Sequence, residues 1–147
     1  MNTKRLVLSC IAVFLCIFAC NFVLHGILLK DAYANTAELW RTESEMNGHF
    51  GWLLLGQLLQ SVMFCVIYAL RCAERTGVGP GAGYGLLVAL LLGSGSFITY
   101  AVQPIPMRIP AAWFLGGIVE LTIAGAILGG IYRPAKLTTY TAQPAAA

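Results

Sequence analysis

Apolar residues gather in four long blocks, at about 6–29, 50–70, 83–102 and 111–132, with polar residues between them. Each block holds about 20 residues, enough for an α-helix to cross a hydrocarbon core ~30 Å thick. The pattern predicts an all-α integral membrane bundle of four helices. It forms one domain over residues 1–132 and leaves 133–147 as a disordered tail rich in Pro and Ala. The blocks use up most of the chain, so no separate soluble domain fits beside them.

The breaks between blocks carry their own signals. The longest polar loop, 30–49, reads KDAYANTAELWRTESEMNGH. Asn35 with Glu38, and Thr42 with Glu45, both have the spacing of a capping box. The first pair predicts a short interfacial helix through Leu39 and Trp40. The second starts helix two before its apolar block. The next break, RCAERTGVGP, leads into glycines at 77, 79, 81, 83 and 85. A phosphate-binding loop would need a preceding strand and a Lys-Ser/Thr pair, and neither is present. The glycines read instead as small residues that let helices approach, with Pro80 opening helix three. Pro104, Pro106 and Pro110 in QPIPMRIP forbid helix until Pro110 starts helix four. The first block is longer than the ~7–15 apolar residues of a secretory signal. Ile17 and Phe18 also stand where a lipoprotein cleavage before Cys20 would want small residues, so an uncleaved first helix is expected.

Composition agrees with that picture. The chain has 147 residues, of which 59% are hydrophobic and 10% charged, against about 25% charged in soluble domains. The net charge of +3 is spread along the chain, which excludes the clustered basic face that nucleic acid needs. Lys4, Arg5, Arg71, Arg75, Arg133 and Lys136 fall on one side of the four spans, and Lys30, Arg41 and Arg108 on the other. The richer side faces the cytoplasm. Both termini and the 133–147 tail are therefore expected inside, with the 30–49 loop outside.

Polar residues inside the blocks are few, and they sort by depth. At about 1.5 Å per residue from the outer ends, His25 lies ~6 Å deep, Asn21 ~12 Å, Gln57 ~10 Å, Gln60 ~15 Å, Ser96 ~9 Å, Ser94 ~12 Å and Glu120 ~14 Å. All lie in the outer half, and every helix contributes. Glu120 sits near the midplane, where a charge costs about 2.5–3.5 kcal/mol. It is expected as a neutral, hydrogen-bonded acid rather than half of an ion pair. Two readings stay open. The layer is either an interhelical hydrogen-bond network or an outward-facing vestibule for a small ligand or proton, ending at Glu120.

Other chemistry finds less support. Cys10, Cys16, Cys20 and Cys65 lie inside apolar blocks and Cys72 just past one, with no Cys-x-x-Cys pair. They read as small apolar residues. Only His25 lies within a span and His49 at a helix start, which serves axial haem ligation poorly. No metal, cofactor or catalytic residue is assigned. Packing signals are clearer. Gly125 and Gly129 make a small-xxx-small pair, and Gly116 and Gly117 a second small patch. Such positions occur inside bundles and at subunit contacts.

The segments NFVLHGILLKDAY and LWR, with YAVQPIPMRIPAAW later in the chain, resemble a group of small uncharacterised bacterial inner-membrane proteins. The likeness rests on a His-Gly-x-Leu-Leu pattern, a Tyr-x-x-x-Pro-x-Pro turn and a glycine-rich last helix. It implies four spans in a bacterial inner membrane and no particular activity. The function expected is a non-enzymatic structural or accessory subunit, partnered by lipid and by itself or a larger membrane complex. The alternative is a small transport or binding protein that uses the vestibule.

Overall fold

The computed structural model of the chain describes residues 2–71 and 77–133. Residues 72–76, which include Cys72 and Arg75, and those from 134 onward lie outside the described residues. The described chain is helical throughout. Helix α1 spans Thr3–Asn21 and runs on as a π-helix over Phe22–Leu28. A short α2, Lys30–Ala34, and a 3₁₀ turn, Ala37–Leu39, follow. Then come α3, Glu43–Arg71, α4, Val78–Val102, and α5, Arg108–Ile131. Four of these stretches are long and apolar enough to cross a membrane, which is compatible with a multi-pass membrane protein.

All four long helices begin before their apolar blocks, because a helix starts at its cap and not at its first apolar residue. Asn2 Oδ1 accepts from Arg5 N at 3.3 Å to start α1. Thr42 and Glu45 form the reciprocal box that starts α3, with Thr42 N donating to Glu45 Oε2 at 2.9 Å and Glu45 N to Thr42 Oγ1 at 3.4 Å. The Asn35–Glu38 pair forms no box. Asn35 instead ends α2, so the interfacial helix lies earlier than the spacing predicts. Thr36 takes over there, donating to Ala32 O at 2.9 Å and accepting from Trp40 Nε1 at 2.8 Å.

Helix α5 is the centre. It buries Glu120, Leu121, Ala124, Gly125, Leu128 and Gly129 along one flank. It packs on α4 on one side and α1 on the other, and α1 in turn packs on α3. The α4–α5 contact is backbone against backbone. A Cβ on Gly81 would collide with Gly125 O, one on Gly85 with Leu121 O, and one on Gly129 with Gly77 O. Gly125 and Gly129 therefore act within the chain. Gly116 accommodates the Leu24 side chain, which would lie 2.6 Å from an added Cβ, whereas a Cβ on Gly117 would meet nothing within 4 Å.

The end of the bundle that holds the termini is closed tightly. Leu6, Val13 and Ile17 of α1 meet Phe64, Cys65 and Tyr68 of α3, Leu128 of α5 and Tyr132 just after it. Tyr84 reaches from α4 to donate to Phe64 O at 2.8 Å. Arg5 Nη1 donates to Ile131 O at 3.0 Å, so both described termini lie at this end.

The opposite end is open. Every buried residue of α3 lies from Ser61 onward, and those of α4, Gly81, Gly85 and Ala89, lie in its first half. Here the first half of α3 buries no residue, while α4 stays on α5 through Phe97 and Phe114, whose ring centroids lie 5.0 Å apart. A smaller core of Leu29, Ala32 and Ile109 is covered by Tyr33, Trp40 and Trp113.

Candidate functional site

The open end contains a cleft of about 400 Å³ between the end of α1, its π-helical continuation and the first half of α3. Phe18, Phe22 and Phe50 supply aromatic walls, and Asn21, His25 and Gln57 supply the polar points. Single-turn π geometry often marks functional sites in helices. Here Leu29 N bonds Leu24 O at 2.9 Å at the end of that segment. The π stretch thus carries Phe22 and His25 to the cleft.

Asn21 ties the cleft to the buried acid. Its Nδ2 donates to Ile17 O at 3.0 Å on its own helix, and the side chain also bonds the carboxyl of Glu120. Glu120 is 6% exposed and sits among apolar neighbours of α1 and α5. An amide satisfies such a carboxyl without introducing a second charge.

His25 belongs to a different network. Trp113 Nε1 donates to Tyr33 Oη at 2.8 Å, and that hydroxyl lies 2.6 Å from His25 Nδ1. The Tyr33 oxygen accepts from Trp113 and shares one hydrogen with His25 Nδ1, so a single chain joins the three side chains. The His25 and Tyr33 rings lie nearly parallel, at 4°, with centroids 5.9 Å apart. Trp40 meets both Tyr33 and Trp113 edge to face. Burial pushes the Tyr33 pKa up from its ordinary value, and the Trp113 hydrogen bond opposes this more weakly. Tyr33 is therefore held as a hydroxyl.

The seven polar residues singled out in the sequence do not form one layer. Asn21 and Glu120 meet, and Asn21, His25 and Gln57 share the cleft. Gln60 lies exposed on α3, and Ser94 lies exposed on α4, bonded to Leu91 O at 2.7 Å. Ser96 is half-buried on α4. The reason is the direction each residue faces: equal depth places residues at one height, but Gln60 and Ser94 lie on exposed faces of α3 and α4. Tyr33 and Trp113 carry no signal in the sequence beyond their place at a span end. Gln57 Oε1 and Thr122 Oγ1 are enclosed without a hydrogen-bond partner among the described residues. Among the described residues no three His, Cys, Asp or Glu side chains converge to hold a metal.

The chain matches no protein-family model, no curated protein and no solved structure.

Proposed function

We propose that this chain is a multi-pass protein of a bacterial inner membrane, with both termini cytoplasmic. It carries no catalytic chemistry of its own and serves as an accessory subunit of a larger membrane assembly, made of further copies or of other chains. The observation that carries this reading is the exposed face of α3. Gln60 lies mid-helix and exposed, one turn from Gly56, which faces open space, and beside exposed Leu59 and Met63. In a bilayer a lone amide loses its water partners, and a neighbouring helix restores them. The charges support the orientation: Lys4, Arg5, Arg71 and Arg133 lie at the closed end, and Lys30, Arg41 and Arg108 at the open end.

Site-specific photocrosslinking from position 60 in intact membranes tests it. A discrete protein adduct that weakens when Gly56 is also changed to Leu is the expected result. Adducts to lipid alone would overturn the reading. Reporter fusions after Arg133 test the orientation, and activity outside the cell would reverse it.

The cleft favours a second reading, a small-ligand binding or transport role. Asn21 both lines it and contacts Glu120, so an event in the cleft reaches the buried acid through one side chain.

A further inference from the structure

We infer that the partner on the exposed face of α3 is a second copy of this chain, the two α3 helices lying side by side with their Gln60 amides paired across a two-fold axis. The inference rests on the assembly reading above. Leu53, Gly56, Gln60, Met63, Ile67 and Leu70 recur at alternating steps of three and four residues, and all six are exposed. That spacing keeps one seam along two helices wound left-handed about each other. Within the seam, a Cβ on Gly56 would meet nothing within 4 Å, which leaves room for a partner backbone to come close.

Gln60 identifies the partner. It is the one polar side chain of the six, and its carboxamide carries both donor hydrogens and an acceptor oxygen. A second carboxamide met face to face satisfies both through two N–H···O bonds. Another copy brings its own Gln60 to the same height with no further matching, because both copies cross the membrane the same way. A two-fold axis along the membrane normal then sets each seam residue against its equal. Charge would select a different chain, and no Lys, Arg, Asp or Glu stands between Leu53 and Leu70. One polar side chain in an otherwise apolar seam also fixes register and the number of helices. The pairing supplies packing to the first half of α3, which buries nothing within one chain.

The test places a photocrosslinking residue at Met63 of the full chain in intact cell membranes, which leaves Gln60 in place. The expected adduct has twice the mass of the chain, and the same probe at Leu87, exposed on α4, gives none. Energy transfer between purified copies labelled at their N-termini, in liposomes of varied lipid content, gives the dissociation constant. Gln60→Leu changes an exposed position, so the fold survives, and it raises that constant about eightfold, the loss of two interhelical hydrogen bonds. Gln60→Asn keeps the amide and holds the constant near the parent value. A Gln60→Leu constant equal to the parent's overturns the pairing. Adducts from Met63 to a different chain alone sink the second copy and leave the accessory-subunit reading standing. Adducts to lipid alone sink both.

Discussion

Gly81 and Gly125 approach so closely that the carbonyl oxygen of each occupies the space a Cβ would need on the other. Gly81→Ala or Gly125→Ala forces the two backbones apart, with no flexible side chain to yield. Overpacking of this kind costs about 1–3 kcal/mol. A lower melting temperature in detergent is expected for each, and an unchanged one for Gly117→Ala, whose Cβ meets nothing. Equal melting of all three would show that the contact carries no stability.

Glu120 separates a structural from a chemical role. Glu120→Gln keeps the shape and a partner for Asn21, so it folds like the parent. Glu120→Leu leaves Asn21 only its bond to Ile17 O and destabilises by about 1 kcal/mol. The comparison is a thermal melt of the two variants side by side. Leu melting no lower than Gln would mean that the Asn21 contact is dispensable. If Gln folds but fails in a cellular assay, the proton of Glu120 is what matters.

The start of α3 depends on its cap. Thr42→Ala removes the hydroxyl that bonds Glu45 N and Glu45 Oε2. Loss of an N-cap costs about 0.5–2 kcal/mol. Because the first half of α3 buries nothing, the effect stays local. Amide exchange should quicken over the first turns of α3 and remain unchanged from Ser61 onward. Uniform protection along α3 would contradict a free-standing first half.

Tyr33 sets a pH limit on the open end. Its pKa is raised above the ordinary 10.0 by burial. The folded state thus holds the proton more tightly than the unfolded state. The contribution is complete below the ordinary value and is lost as pH rises through the folded value. Trp40 and Trp113 report on this end, so their emission should shift in alkali at a pH above 10.0. Tyr33→Phe should remove the transition, and its persistence there would assign it elsewhere.

Much of this arrangement is written in the chain. The four spans follow from block length, and Thr42 with Glu45 marks the start of α3 three residues apart. The similar depths of Asn21 and Glu120 anticipate their contact. Depth gives height along a helix and not which way a residue faces. Gln57 and Gln60 sit three residues apart on one helix, yet only Gln57 lines the cleft, because Gln60 is turned to the exposed face of α3. The π stretch at Phe22–Leu28 leaves no mark in hydropathy, which does not distinguish one hydrogen-bond register from the next. Gly125 and Gly129 announce close packing, but only the structure supplies Gly77, Gly81 and Gly85 as the opposing surface.

The backbone contact between α4 and α5 has a mechanical result. With carbonyls set into the gaps left by missing side chains, neither helix slides or turns along the other. The two behave as one stiff plate. Helix α1 and its π-helical continuation are pinned to this plate at three heights, by Arg5 on Ile131 O, by Asn21 beside Glu120 and by Leu24 seated over Gly116. The compliance left to the molecule belongs to the first half of α3, which buries nothing and swings as a free arm over the cleft.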